Sequence, residues 1–134
     1  MYISETRIRT RYAETDQMGY VYYGNYAQYF EVGRVEAMRN LGMSYRDLEG
    51  SGILLPVVSF NINFLKPALY DENLSIITKI STKPTVRLIF DYETYNEQDE
   101  LLNTASTTLV FVNKIKNKPC PPPKEFMELF KPYF

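Results

Sequence analysis

The segment from Tyr12 to Tyr26 contains the residues best suited to chemistry, because a carboxylate, Asp16, lies there among several tyrosines. The chain contains no histidine. That absence excludes a Ser-His-Asp or Cys-His triad, a histidine-rich zinc site and the histidine/carboxylate pair of a dehydratase. Any catalysis must therefore use carboxylates, tyrosines, lysines and backbone dipoles.

Asp16 also has a purely structural interpretation. Aspartate is common in turns and just before helices, where its side chain accepts hydrogen bonds from nearby backbone N–H groups. Glu14 lies close to the same turn, but in a strand-like conformation it would point elsewhere. Cys120 lies in a proline-rich segment. Without a histidine to activate its thiol, we expect no nucleophilic role for it.

The elements on either side of this segment are predicted by periodicity. Residues alternate from Glu5 to Tyr12, as in a half-buried strand. Apolar residues recur at helical spacing from Asn25 to Leu41, which predicts one long helix. We expect Asn25 to cap this helix and Gly42 to end it. Gly33 on its buried face would permit a close approach to a sheet.

The rest of the chain is predicted to be mostly strand. A short helix is expected from Ser44, because Ser44 and Asp47 have capping spacing. Four alternating segments follow, Val58 to Phe64, Leu74 to Ile80, Val86 to Tyr92 and Leu101 to Asn113. The connectors, such as Lys66 to Ala68, are short enough for antiparallel neighbours. The run Pro119 to Pro123 cannot enter a sheet and should lead to a helical turn at Glu125 to Phe130.

These elements predict an α+β domain in which a five-stranded antiparallel sheet wraps around one long central helix. With 134 residues the chain is long enough for a single domain. Such a sheet leaves exposed edges, and pairing with a second copy is a common way to cover them. We therefore expect a homodimer or homotetramer.

Charge and hydropathy limit the partners. The formal net charge of -1 gives no field that would attract a nucleic-acid backbone. No apolar stretch approaches the length of a membrane span. The single cysteine cannot form an internal disulfide, which is typical of a reducing compartment. We expect a cytoplasmic protein without nucleic-acid partners.

The loop before the long helix resembles a known family. Asp16, then Gly19, the pair Tyr22-Tyr23 and Asn25-Tyr26, is similar to the signature loop of the 4-hydroxybenzoyl-CoA thioesterase family of hotdog proteins. The resemblance continues through Tyr29-Phe30-Glu31, Arg34-Val35-Glu36 and Ile62-Asn63-Phe64-Leu65-Lys66-Pro67-Ala68, and reaches about residue 113.

The resemblance implies a hotdog fold and hydrolysis of an acyl-CoA thioester, with no metal and no redox cofactor. In this family pattern Asp16 attacks the thioester carbonyl or activates a water, and the Tyr23 backbone N–H polarises the carbonyl oxygen. A helix N-terminus stabilises an oxyanion independently of any resemblance. Some relatives, associated with Tol-Pal systems, have a histidine where this chain has Tyr23, so their substrate preference does not transfer.

Residue type and position suggest further site residues. The expected substrate contacts are Gly19, Tyr20, Tyr22, Asn25, Tyr26 and Asn63. The tyrosines have a structural alternative, because an aromatic stripe at the start of a buried helix is usually core. Coenzyme A phosphates are expected at Lys79, Lys83 and Arg87, although basic residues at a hairpin are often only solvated. The partner's strand near Asn61 to Phe64 would form the other wall of the site.

Two alternative functions stay open. The substrate could be carried by acyl carrier protein, an acidic partner that a basic rim would favour. The chain could also bind acyl-CoA without hydrolysing it, although a binder gains nothing from a desolvated carboxylate such as Asp16. On the helix, Glu31 and Arg34 are predicted to form an i,i+3 ion pair rather than a catalytic set.

Overall fold

The computed structural model describes all 134 residues, and its main feature is a five-stranded antiparallel sheet around one helix. The strand order is β1-β4-β5-β6-β3. The sheet strands are β1 (Tyr2–Arg9), β3 (Val57–Phe64), β4 (Asn73–Ile80), β5 (Arg87–Tyr95) and β6 (Leu101–Val110). The helices are α1 (Tyr26–Leu41), α2 (Tyr45–Gly50) and α3 (Lys124–Glu128). This is the predicted α+β hotdog architecture.

Helix α1 packs closely on the inner face of the sheet. The Phe30 ring stacks on Tyr92 of β5, with ring centroids 4.6 Å apart, and both side chains are buried. At Gly33 a Cβ atom would lie 2.8 Å from Thr78 Oγ1 of β4. Only glycine permits this approach, so the prediction for Gly33 is confirmed. Gly42, at φ 121°, ends the helix as expected.

The first strand is shifted relative to its predicted bounds. Pairing with β4 begins at Tyr2 and ends at Arg9, and Tyr12 begins a 3-10 turn instead of closing the strand. The chain leaves the ladder because Thr10 bonds to the loop before β4, through N–H to Glu72 O and through Oγ1 to Leu69 O. The predicted end of the strand at Tyr12 is therefore wrong.

Strand β3 has the predicted position but not the predicted burial. It is an edge strand, paired only with β6, and seven of its eight residues are exposed. The short Lys66 to Ala68 connector was expected to join antiparallel neighbours. It instead leads across the fold to β4, which pairs with β1 and β5. The prediction is wrong because local loop length does not specify which edge a strand occupies.

A second, three-stranded sheet was not predicted. It contains β2 (Ile53–Leu54), β7 (Val112–Asn113) and β8 (Lys118–Pro119), in the order β2-β7-β8. Pro119 pairs with Val112, so the expectation that the proline run cannot enter a sheet is wrong at its first residue. An edge strand tolerates proline because its outer side needs no N–H donor.

Two helical predictions have opposite outcomes. Ser44 and Asp47 form the expected capping box before α2, with each side chain bonded to the other residue's backbone N–H. The Glu31–Arg34 ion pair is absent, and Arg34 instead lines a cleft with Tyr45. The i,i+3 pair on α1 that does form is between Glu36 and Arg39. No helix in the structure is both long and apolar enough to cross a membrane.

Candidate active site

The loop between β1 and α1 is folded back on itself by a tight turn. The Asp16 N–H donates to Tyr20 O at 2.8 Å, and the Gly19 N–H donates to Asp16 O at 3.1 Å. Gly19 has φ 80°, a left-handed conformation that favours glycine. The Val21 N–H then donates to Ala68 O at 2.8 Å. The turn is thereby fixed against the segment that leads from β3 to β4.

The two oxygens of the Asp16 carboxylate differ in their hydrogen bonds. Oδ1 accepts hydrogen bonds from Met18 N–H at 2.9 Å and Tyr20 N–H at 3.2 Å. No protein group donates to Oδ2. One oxygen therefore stabilises the turn, as the structural interpretation of Asp16 requires, and the other has no hydrogen-bond donor in the protein.

The backbone around Tyr23 offers two unpaired donors. A 3-10 turn, Tyr23–Asn25, leads directly into α1. As the first two residues of that turn, Tyr23 and Gly24 have N–H groups without an acceptor in the protein. Gly24 is tightly placed, since a Cβ atom there would lie 2.8 Å from the Tyr22 ring.

A groove joins the Asp16 turn to the start of α1. This Asp16 groove has a volume of about 290 Å³, and most of its lining is hydrophobic. Its lining consists of Asp16, Met18, Tyr20, Val21, Tyr23, Tyr26, Phe64, Leu65, Lys66 and Pro67. The groove thus brings together four residues that were predicted from the sequence. They are the two catalytic candidates, Asp16 and Tyr23, and two expected substrate contacts, Tyr20 and Tyr26.

Tyr26 forms the buried end of this groove. Its ring lies edge-on to Phe64, with centroids 5.5 Å apart, and its hydroxyl accepts a hydrogen bond from Ala68 N–H at 3.3 Å. Burial raises the pKa of the Tyr26 hydroxyl, so it stays protonated at neutral pH. Tyr26 therefore acts both as core and as cavity wall, which combines the two interpretations of the aromatic stripe.

Glu14 holds the loop from inside. Its carboxylate accepts hydrogen bonds from the Arg11 N–H and from the Tyr29 hydroxyl, both at 2.8 Å. It also forms an ion pair with the Arg11 guanidinium at 3.2 Å. Burial alone would raise the pKa of Glu14, but these hydrogen bonds outweigh it and lower the pKa. Burial and the neighbouring carboxylate raise the pKa of Tyr29. Glu14 therefore anchors the loop from a 3-10 turn, and the expected strand-like conformation at this residue is wrong.

The other predicted substrate contacts lie outside the Asp16 groove of a single chain. Gly19 and Tyr22 are exposed beside it. The Asn25 side chain donates to Glu14 O at 2.8 Å and caps nothing, so the capping prediction is wrong. The sequence could not predict that the Glu14 carbonyl oxygen would compete for the Asn25 side chain. Asn63 lines a separate depression on the outer face of the sheet together with Lys79.

The three basic residues expected to bind phosphates are not grouped near Asp16. Lys79 pairs with Glu93 at 3.2 Å on the outer sheet face. Lys83 and Arg87 are exposed at the β4–β5 connection. That connection lies at the opposite end of β4 from the Asp16 turn, roughly 25 Å away along the strand. Within one chain, these cations and Asp16 do not form one site.

Several groove residues were not expected as contacts. Met18, Val21 and the segment Phe64 to Pro67 line the cavity. Phe64 to Pro67 belongs to the stretch that resembles the family, but only the fold brings it to the loop, through the isolated bridge between Tyr20 and Leu69. No group of three or more acidic or cysteine side chains is arranged to hold a metal ion.

Comparison with known proteins gives consistent matches over most of the chain. A family profile described as the thioesterase superfamily matches residues 18–103. YneP of Bacillus subtilis is named as a putative acyl-CoA thioesterase. It is 40% identical over 89% of this chain and 86% of its own length. The acyl-CoA thioester hydrolase YbgC of Escherichia coli is 31% identical over 92% of each chain.

A solved structure agrees with these sequence matches. The DHNA-CoA thioesterase from Staphylococcus aureus superposes with a TM-score of 0.86 at 39% identity. The match covers 100% of this chain and 85% of that protein. The profile match begins at residue 18, two residues after Asp16, and so does not include Asp16.

Proposed function

Because the chain belongs to the thioesterase superfamily and is a thioester hydrolase, we propose that it hydrolyses acyl-CoA to a free acid and coenzyme A. The acyl-CoA substrate class is supported by the names of YbgC and of the DHNA-CoA thioesterase. An apolar groove of about 290 Å³ is suited to an acyl group of modest size.

The proposed mechanism is based on unbonded polar groups in the loop that contains Asp16. An unbonded carboxylate oxygen, Asp16 Oδ2, and two unbonded backbone donors, at Tyr23 and Gly24, belong to the same short loop. Asp16 and Tyr23 line the same groove. A thioester carbonyl placed there would meet a nucleophile or base at its carbon and hydrogen-bond donors at its oxygen.

The reaction has the following steps. The Tyr23 N–H donates to the carbonyl oxygen, and Asp16 Oδ2 attacks the carbonyl carbon or removes a proton from an attacking water. The negative charge moves to the oxygen and is stabilised by the backbone donors and by the positive end of α1. Collapse of this intermediate breaks the C–S bond, and coenzyme A leaves as a thiolate. On the direct route, water then cleaves the acyl-aspartate anhydride.

The site requires a second copy of the chain in this proposal. The outer side of strand β3 has no neighbouring strand, and β3 has exposed apolar side chains at Val57, Val58, Phe60 and Phe64. Such an edge is normally covered in a native protein. Phe64 also lines the Asp16 groove. Pairing of two β3 strands would therefore cover the edge and place partner residues beside the groove.

A substrate panel tests this function. Free-thiol release is measured with acyl-CoAs of short, long and aromatic acyl groups and with the same acyl groups on acyl carrier protein. We expect release from at least one acyl-CoA with kcat/KM well above that for the matching carrier-protein substrate. Faster release from acyl carrier protein would reassign the substrate. Binding of acyl-CoA without thiol release would overturn the enzymatic proposal.

A further inference from the structure

The hairpin that joins β7 to β8 carries an apolar side chain in its turn, residues 114–117. Ile115 in this turn is 93% exposed, the largest exposed fraction of any large hydrophobic side chain in the protein. Removal of such a side chain from water is favourable. Single exposed apolar residues are common on protein surfaces, so the surroundings of Ile115 decide whether it has a role.

Hydrogen bonds within the turn fix the conformation around Ile115. The Asn113 side-chain Oδ1 accepts from the Ile115 N–H at 3.1 Å and from the Lys116 N–H at 3.0 Å. The Asn117 N–H donates to Asn113 O at 2.8 Å. Asn117 has φ 52°, a left-handed conformation in which asparagine is enriched. The turn therefore has a defined conformation, and the exposure of Ile115 is a feature of the fold.

Five exposed cations lie at the same end of the sheet as Ile115. Arg87 pairs with Val110 at the end of β6, which brings the β4–β5 connection to the end where β7 begins. No carboxylate forms an ion pair with any of the five, whereas most other lysines and arginines of the chain are paired. Because the formal net charge of the chain is -1, these cations are segregated. They are Lys83, Arg87, Lys114, Lys116 and Lys118.

An aliphatic side chain among unpaired cations is complementary to an anionic lipid surface. Aliphatic groups insert at the boundary between headgroups and acyl chains, while lysines stay at the level of the anionic headgroups. We propose that the β7–β8 hairpin docks on membranes that contain anionic phospholipid, with Ile115 inserted. An acidic protein would pair with the cations, but it would need a broader apolar contact than one side chain.

The hairpin is far from the Asp16 groove of the same chain. The N–H groups of Leu65 and Lys66, which line that groove, donate to Leu102 O near the start of β6. The hairpin follows the other end of β6, which has 10 residues and is therefore roughly 30 Å long. Docking through the hairpin leaves the groove of that chain open. The binding requires no thioester hydrolysis, so it is tested separately from the proposed function.

Vesicle binding by the full chain tests the charge requirement. Co-sedimentation is measured with vesicles of phosphatidylcholine alone and with vesicles of phosphatidylcholine mixed with phosphatidylglycerol. We expect wild type to bind only the mixed vesicles and to dissociate as the salt concentration rises. The triple variant Lys114→Gln/Lys116→Gln/Lys118→Gln should bind at least about tenfold more weakly. Ile115→Ser should also weaken binding, whereas Ile3→Ser, at a 55% exposed position on β1, should not.

Tryptophan fluorescence tests the insertion itself. The chain contains no tryptophan, so Ile115→Trp introduces a single indole at the turn. We expect its emission to shift to shorter wavelength when mixed vesicles are added, because the indole enters a less polar environment. Ile3→Trp is the control and should show no shift. Ile115→Trp should also bind at least as tightly as wild type, since tryptophan favours the membrane interface.

Four results would overturn the proposal. Wild type that does not bind mixed vesicles would remove the membrane as the partner. Binding without an emission shift for Ile115→Trp would show that the side chain does not insert. Release of the protein from vesicles by free coenzyme A would assign the cations to nucleotide phosphates. Binding to polyglutamate but not to vesicles would assign them to an acidic protein.

Discussion

The Tyr29 hydroxyl of α1 donates a buried 2.8 Å hydrogen bond to Glu14 Oε1 in the loop that carries Asp16. This bond joins the start of the helix to the turn across 15 residues. The same carboxylate receives the Arg11 N–H and guanidinium. The position of Asp16 relative to the free N–H groups of Tyr23 and Gly24, in the 3-10 turn before α1, therefore depends on the anchoring bonds of Glu14.

Replacement of Glu14 by Gln should destabilise the protein by about 1 to 3 kcal/mol, because charge-assisted bonds from Arg11 are lost inside the loop. Urea unfolding of Glu14→Gln measures the change. Tyr29→Phe removes only the hydroxyl and should cost less. Equal stability of wild type and Glu14→Gln would contradict the anchoring role.

The pH dependence of this difference has a defined sign. The pKa of Glu14 is lowered in the folded state, from a reference value of 4.5. Its contribution is therefore present in full above the unfolded-state pKa and is lost as pH falls through the folded-state pKa. The stability gap between wild type and Glu14→Gln should be constant from pH 8 to about 6 and shrink in the acid range. A gap that widens in acid would reverse the assigned sign.

Gly33→Ala should destabilise the fold despite a gain in helix propensity of about 1 kcal/mol. The new Cβ would lie 2.8 Å from Thr78 Oγ1 and 3.1 Å from Ile76 Cγ2. Thermal unfolding should show a lower Tm for this variant. Gly50→Ala is the matched control, since no atom lies within 4 Å of its Cβ position. Adding Thr78→Ala to Gly33→Ala should restore part of the loss.

Tyr23→Pro tests the backbone donor directly. Proline removes the N–H while fitting the first position of a helical turn. Tyr22 already has φ -60° and ψ 132°, a conformation suited to the residue before proline. We expect kcat to fall about a hundredfold, as for loss of one oxyanion donor. Tyr23→Ala keeps the N–H and should lose much less, whereas equal losses would assign the effect to the side chain.

Val58→Glu tests the assembly through β3. If two copies pair through β3 as proposed, a charge on this exposed edge should convert the proposed dimer to a monomer, as measured by light scattering coupled to size-exclusion chromatography. Thiol release should fall with it, because in the proposed assembly the partner completes the groove. Ile3→Glu, on the opposite edge strand β1, is the control, as Ile3 is equally exposed at 55%. Dissociation by Ile3→Glu alone would place the interface at β1.

The sequence predicted those features that are local. Alternation in β4, the capping box of Ser44 and Asp47 and the end of α1 at Gly42 each depend on neighbouring residues, and all are confirmed. The edge position of β3 depends on long-range pairing with β6, which loop length does not reveal.

In the candidate site, too, local features were predicted and long-range contacts were not. The loop that holds Asp16 and Tyr23 was identified from adjacent residues. The contribution of Leu65 to Pro67 was not, because it arises from hydrogen bonds such as Val21 N–H to Ala68 O. The bond from Asn25 to Glu14 likewise replaced a cap that residue type alone favours.

Thiol release by Asp16→Asn tests the central claim most directly. Asparagine keeps an Oδ1 that can accept from Met18 and Tyr20, so the turn should survive while the free carboxylate oxygen is lost. Asp99→Asn, at an exposed turn position with φ 59°, is the matched control. With both variants folded, we predict that Asp16→Asn lowers kcat at least about a hundredfold while Asp99→Asn has no effect. Wild-type turnover by Asp16→Asn would show that the Asp16 carboxylate is not the catalytic group.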